Sequence, residues 1–224
     1  MKKKILLGMV LVVIGILLVG CNKNTKALDF KKEYESLNGL KNKNGKEHRK
    51  VTIDDDNPYE KVSAKDIVEK INNKETFYVY FGDKLCPWCR SVIEKSIEVA
   101  KKNNVKKIYY VAIWNDLGEE ILRDKYEIVD NELKKTIDGT KEYQELLKAF
   151  DEVLSDYSLT DSEGNKISTG EKRIYAPNFI YVEKGIVKKL VTGISDKQTD
   201  SREELSSDIL TDEEEIFKDF FKTK

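Results

Sequence analysis

Histidine is all but missing from this chain of 224 residues, and cysteine and proline are scarce: one histidine (His48), three cysteines and three prolines. That scarcity limits the available chemistry more than any other count, because nucleophilic, redox and metal-binding roles fall mainly to these few side chains. An excess of charge of one sign is missing too. Lysine and arginine number 40 against 41 acids. Residues 1–20 hold three of those lysines and no acid, so the remainder carries 37 basic residues against 41 acidic ones. This balance gives no reason to expect nucleic acid as a partner, which would favour a basic face. No internal repeat is visible. What is abundant is charge of both signs, 36% of residues, beside 39% hydrophobic residues, the balance of a water-facing globular protein with a modest core. The length suits one domain of ordinary size plus additions.

The N-terminus reads as an address. Met1-Lys2-Lys3-Lys4 is a basic start, and residues 5–20 (ILLGMVLVVIGILLVG) are apolar without a charge. The run is short for a membrane-spanning helix, which takes about 20 apolar residues, and suits the core of a signal peptide. It ends in Leu18-Val19-Gly20-Cys21, which resembles the bacterial lipobox. That resemblance implies diacylglycerol on the Cys21 thiol, cleavage before it, and a mature protein anchored by lipid on the extracytoplasmic face of the cell membrane. The rival reading is an uncleaved apolar anchor with an incidental cysteine. Both place the rest of the chain outside the membrane, where disulfides persist, and lipidation leaves one cysteine pair. Residues 21–27 read as a lipidated tether and 28–224 as the domain.

Along the domain, Leu28, Phe30, Tyr34 and Leu37 predict a short helix ended by Asn38-Gly39. Residues 41–50 read as a solvated loop holding an exposed His48. Val51-Thr52-Ile53 predicts a short strand. Asp54-Asp55-Asp56-Asn57-Pro58 lacks the spaced ligands and turn glycine of a calcium loop and reads as a solvated turn. Ser63 is a candidate N-cap for a helix carrying Ile67, Val68 and Ile71. Residues 76–81 (TFYVYF) and 107–113 (KIYYVAI) predict buried strands. Residues 178–183, Lys184-Gly185 and 186–191 predict a hairpin, and a last helix follows Thr211, with Ile216, Phe217, Phe220 and Phe221 at helical spacing.

The chemistry concentrates at Cys86-Pro87-Trp88-Cys89, where a strand ends and a helix running to about Asn103 begins. Counting from Cys89, Val92, Ile93, Ser96, Ile97 and Ala100 share one mostly apolar helix face, so Cys89 belongs to the buried stripe. Cys86 falls at the helix start, where free N–H groups and the macrodipole favour a thiolate. An exposed low-pKa thiol beside a buried partner is what disulfide exchange needs: the first attacks and the second resolves the mixed disulfide. Pro87 suits the first helical turn, and Trp88 is either an apolar landing surface or a packed aromatic. A structural disulfide is a rival reading, although this spacing at a helix start suits exchange better than loop stapling. A zinc site would need two further ligands, against one distant histidine. Covalent haem attachment is excluded by Arg90, where Cys-x-x-Cys-His would be required.

Val79-Tyr80-Phe81 followed after four residues by Cys-x-x-Cys at a helix start resembles the thioredoxin superfamily. Ala176-Pro177 before a hairpin and a last helix resembles that family's cis-proline segment and closing β-β-α unit. YVYFGDKLCPWCR, with KIYYVAI after it, is also similar to thioredoxin-like lipoproteins and bacteriocin transport accessory proteins of Gram-positive bacteria. The resemblance covers roughly residues 28–113 and 173–222. It implies an α/β fold with a central sheet flanked by helices, and an oxidoreductase with Cys86 and Cys89 catalytic. Extracytoplasmic protein thiols or disulfides are then the partners, bound at Pro87, Trp88, Ala176 and a cis Pro177, with no metal or organic cofactor. Thioredoxin has a buried Asp where this chain has Tyr80, and Cys-Gly-Pro-Cys where this chain has Cys-Pro-Trp-Cys, so the resemblance leaves open whether the pair oxidises, reduces or isomerises.

About ninety residues separate Cys86 from Pro177, roughly double what the resemblance implies. The excess, about 114–172, reads as a helical insertion before the cis-Pro segment. Tyr143, Leu146, Leu147, Phe150, Val153, Leu154 and Tyr157 predict one helix over 141–157 with Thr140 as N-cap. It is either an embellishment replacing the family's central helix or a lid or partner-docking surface beside the cysteines. Two other functions stay open: a redox-silent scaffold serving bacteriocin export or immunity, and a narrow reductant in cytochrome maturation.

Overall fold

The computed structural model describes residues 25–130 and 132–222. Cys21 and the apolar run 5–20 lie outside them. Among the described residues no helix is long and apolar enough to cross a membrane.

The fold is mixed α/β. Its centre is a five-stranded sheet of β1 (Tyr59–Lys61), β2 (Phe77–Gly82), β3 (Ile108–Ala112), β8 (Asn178–Glu183) and β9 (Ile186–Val191). The spatial order is β1-β3-β2-β8-β9. β1 and β2 run parallel to β3, while β8 is antiparallel to β2 and β9 to β8. Strand alternation splits the core in two. Tyr80, Tyr110, Phe179 and Tyr181 face one side, against α1 (Thr25–Glu35), α3 (Pro87–Lys102) and α5 (Ser207–Phe221). Val79, Phe81, Val111, Ile180 and Val182 face the other, against α2 (Ala64–Asn72) and α4 (Lys141–Ala149).

Local chemistry sets the helix starts. Ser63 accepts from the Asp66 N–H and Asp66 reaches back to the Ser63 N–H, a full capping box. Thr140 and Ser206 cap α4 and α5 in the same side-chain-to-N3 manner. α5 begins at Ser207, a few residues earlier than the apolar spacing predicts, and α1 is already helical at Thr25, ahead of Leu28.

Four expectations need correction. Residues 51–53 form no strand: Val51 and Ile53 are buried, but the N–H groups of 51, 52 and 53 donate to Asn38 Oδ1, Glu94 Oε1 and Glu35 Oε1 instead of to a neighbouring strand. His48 is half-buried in its loop rather than exposed, and burial, then Arg90 and Arg202, hold its pKa down. The helix expected over 141–157 stops at Ala149; a single 3₁₀ turn (Asp151–Val153) follows, and Tyr157 falls on a strand. The insertion is therefore only partly helical. Most of it is two ribbons, β4 (Lys125–Val129) with β5 (Glu132–Ile137), and β6 (Ser155–Thr160) with β7 (Lys166–Arg173). Leu154 and Tyr157 are buried as the helical spacing demands, but from extended chain, because Tyr157 packs under the Arg173 guanidinium at 4.1 Å and its carbonyl accepts from Thr169 Oγ1.

Only the acidic half of the 54–58 turn is solvated as expected, because Asn57 and Pro58 are buried and the Asn57 amide donates to the Ala27 and Asp54 carbonyls. Asp54, Asp55 and Asp56 are exposed, and the Lys101 ammonium sits 2.7 Å from both Asp54 and Asp56.

Candidate functional site

β2 delivers the chain to the site, and the turn after it is organised by Asp83. This buried carboxylate accepts from the Leu85 N–H at 2.9 Å and the Trp114 N–H at 3.3 Å, and the Asp83 carbonyl accepts from the Cys86 N–H at 3.2 Å. Burial pushes the Asp83 carboxyl up to about 6, against the two N–H donors. Asp83 thus ties the end of β2 to the segment after β3.

Cys86 is the N-cap of α3, with extended backbone (φ −74, ψ 118), and its sulfur accepts from the Cys89 N–H at 3.4 Å. Pro87 takes the first helical position, where a missing N–H costs nothing. Cys89 lies one turn on, fully buried, on the stripe with Val92, Ile93, Ser96, Ile97 and Ala100, all of them buried. Both cysteines are thiols here.

The two sulfurs differ as acids. The Cys86 thiol is held below the ordinary range, first by a hydrogen bond from the Cys89 thiol, then by the Cys89 and Trp88 N–H groups, with burial and the Asp83 charge opposing. Burial drives the Cys89 thiol well above the ordinary range, and the hydrogen bond and charge of Cys86 add to that.

Cys86 is not exposed, contrary to expectation: it is 4% accessible. Its sulfur lies 3.6 Å from the Ala176 carbonyl oxygen, to which the thiol donates. The Ala176–Pro177 peptide is cis. Residues 86 and 176, ninety positions apart, are thus brought into direct contact, with Pro177 buried beside them. Trp88 is half-buried, packed against the same core as Trp114 and Ala176.

No protein-family model matches this chain, and no curated protein does. The site must therefore be read from its own geometry.

Several residues that build it carry no sequence motif. Arg90 is fully buried, and its guanidinium donates to Arg49 O (2.7 Å), Tyr34 O (2.7 Å), Asn38 Oδ1 (2.9 Å) and Lys84 O (3.4 Å). It fastens α1 and the loop after it to the start of α3. Arg123 and Glu120 form a buried ion pair (2.7 Å), and Arg123 also donates to the Ile174 carbonyl at 3.1 Å. Arg173 reaches Glu120 at 3.4 Å and the Asp124 carbonyl. The two ends of the insertion are thereby locked together just before Ala176. Most of these pairings join segments far apart in the chain, Arg90 with Tyr34, Asn38 and Arg49, Arg123 with Ile174, and Arg173 with Glu120 and Asp124, so no local pattern singles them out. Among the described residues no group of three or more His, Cys, Asp or Glu side chains could hold a metal ion.

Proposed function

We propose that this protein is a thioredoxin-like thiol–disulfide oxidoreductase acting on protein thiols or disulfides outside the membrane. One observation carries the reading: a helix-capping Cys86 of lowered pKa lies against the Ala176 carbonyl at a cis X–Pro bond, with a fully buried Cys89 one helical turn behind it. The β8-β9-α5 ending after that bond supports the likeness to the superfamily, as does a central sheet between two helical layers.

The chemistry follows from the asymmetry. With the pair reduced, the Cys86 thiolate attacks a partner disulfide; one Cys86–partner bond forms and the partner's own disulfide breaks, releasing one partner sulfur. Cys89 then displaces the second partner sulfur and closes the Cys86–Cys89 disulfide. The pair loses two electrons and the partner gains them; the reverse sequence oxidises a partner dithiol. The direction follows from the two reduction potentials. An extended partner segment pairs with the Ala176 backbone as an added strand would, with Pro177, Pro87 and Trp88 as its apolar bed. In doing so it draws the Ala176 carbonyl off the Cys86 sulfur and uncovers it. Cys21, lipidated, holds the domain at the membrane.

Insulin reduction with dithiothreitol as electron source tests the function. The full chain in mild detergent should accelerate insulin precipitation, and Cys86→Ser should abolish the acceleration. A wild-type protein no faster than dithiothreitol alone would leave a redox-silent binding module as the reading. Lipid anchoring has its own test: Cys21→Ser should lose incorporation of labelled fatty acid, and an equally labelled variant would refute it.

A further inference from the structure

The Tyr80 phenol is fixed more firmly than a core side chain requires. Its ring is stacked between Tyr110 (centroids 5.6 Å apart, planes 23° apart) and Phe179 (4.5 Å, 19°), with Tyr59 edge-on at 5.6 Å. The hydroxyl is fully buried, lies 2.8 Å from the Tyr34 hydroxyl, and shares one buried cluster with Cys89, close enough for each group to influence the ionisation of the other. Gly82 makes that reach possible. It lies two residues on, on the same face of β2, and a Cβ there would stand 2.1 Å from the Tyr80 hydroxyl oxygen and 2.2 Å from its Cζ. Without a side chain at Gly82, the phenol can lean over the strand at that position.

Each of the two hydroxyls carries one proton. Either hydroxyl can donate across the contact, and once the Tyr80 proton turns to the Cys89 sulfur, the Tyr34 hydroxyl is free to donate to the Tyr80 oxygen in its place. We propose that Tyr80, backed by Tyr34, is a catalytic residue that donates a hydrogen bond to the Cys89 sulfur as it becomes the resolving thiolate. The role rests on the exchange reading of the pair. In the step concerned, the Cys89 thiolate attacks Cys86 of the mixed disulfide. The Cys86–Cys89 bond forms, the bond from Cys86 to the partner sulfur breaks, and the partner leaves with the electron pair. The proton Cys89 gave up is balanced by the one the departing sulfur takes. The cysteine pair is oxidised by two electrons and the partner is reduced by two. Burial opposes charge on Cys89, and the Tyr80 hydrogen bond acts against that opposition. Burial and the neighbouring Cys89 also keep the phenol protonated, so Tyr80 serves as a donor and not as a base. Tyr34 adds to the effect because a phenol that accepts a hydrogen bond is a stronger donor in turn.

Equimolar dithiobis(nitrobenzoate) added to the reduced full chain separates the steps. A first release of nitrothiobenzoate reports attack by Cys86, and a second reports resolution by Cys89. Tyr80→Phe keeps the ring and loses the donor. It should slow the second release about tenfold or more, the loss expected of one hydrogen bond to a charged atom, and move its pH midpoint upward while the first release persists. Tyr34→Phe should slow the second release by a smaller factor. A second release in Tyr80→Phe with rate and pH midpoint within about twofold and experimental error of wild type would overturn the role. Should Tyr80→Phe lose both releases through misfolding, Tyr34→Phe decides: slowing confined to the second release supports the role, and no change overturns it. A wild-type protein with no second release removes the exchange reading and this role together, whereas two normal releases with unaffected variants remove this role alone.

Discussion

Iodoacetamide at neutral pH should alkylate Cys86 faster than Cys89 by about two orders of magnitude in the reduced protein, the scale on which thiolate fraction separates a lowered-pKa cysteine from an ordinary one. Two effects act in the same direction. Cys86 collects hydrogen bonds from the Cys89 thiol and from two helix-start N–H groups, so its thiolate persists as pH falls. Cys89 is fully enclosed and its thiol is pushed well above the usual range. The pH dependence has a definite sign. The Cys86 rate should hold steady below the ordinary thiol pKa and decline only when pH passes its own lowered value, whereas Cys89 should gain reactivity only in strongly alkaline solution. Access sets the absolute rate, because the Ala176 carbonyl must move off the sulfur first. Cys89→Ser should therefore accumulate mixed disulfides through Cys86. Peptide mapping after timed alkylation gives both rates, and equal labelling, or faster labelling of Cys89, would refute the assignment.

Arg90→Ala should cost about 3–5 kcal/mol of folding stability, the range for stripping one member from a buried charged network. Four acceptors lose a donor at once, Arg49 O, Tyr34 O, Asn38 Oδ1 and Lys84 O, of which Asn38 Oδ1 keeps the Val51 N–H. A buried acceptor left without a partner keeps its full desolvation penalty, and the vacated volume adds a cavity term. Arg90→Lys should recover little, since an ammonium cannot span acceptors set out for a planar fork. Urea denaturation followed by tyrosine and tryptophan fluorescence measures the loss; a change under about 1 kcal/mol would mean that α1 and its loop hold the helix start without the guanidinium. Because Tyr34 belongs to α1, the same substitution should also slow the resolving step.

Where the sequence was informative, a repeating pattern had one interpretation. TFYVYF and KIYYVAI alternate between two buried faces, and the hairpin at 178–191 carries Lys184-Gly185 at its turn; the observed elements fall within a residue or two of those expectations. The cysteine pair was placed by the stripe that includes Val92, Ile93 and Ser96. The insertion misled because its pattern had two interpretations. Phe150, Leu154 and Tyr157 satisfy helical spacing, yet after one 3₁₀ turn the chain straightens from Leu154, and the interval of three from 154 to 157 does not distinguish a helix from a turn into a strand. The ribbons β4 and β5 are mostly half-buried or exposed and rich in Lys and Glu, so no apolar face announces them. The near-burial of Cys86 was hidden for a different reason. It depends on a carbonyl ninety residues away, and a backbone oxygen has no signature in sequence. Arg90 was useful only for what it excluded, since three of its four acceptors are backbone oxygens, which have no signature in sequence, and the fourth, on Asn38, lies in a turn.

The place of Thr25 within α1 bears on where such a domain could work. With a lipid on Cys21, residues 22–24 are all the chain between the anchored residue and Thr25, which already belongs to α1. Fully extended, such a stretch reaches roughly 10–11 Å. A domain on so short a leash pivots beside the headgroups and sweeps only a thin shell of the space above them. Partners embedded in the same leaflet, or newly emerged beside it, meet it at an effective concentration fixed by that shell, while proteins released into the surrounding medium must first come back to the surface.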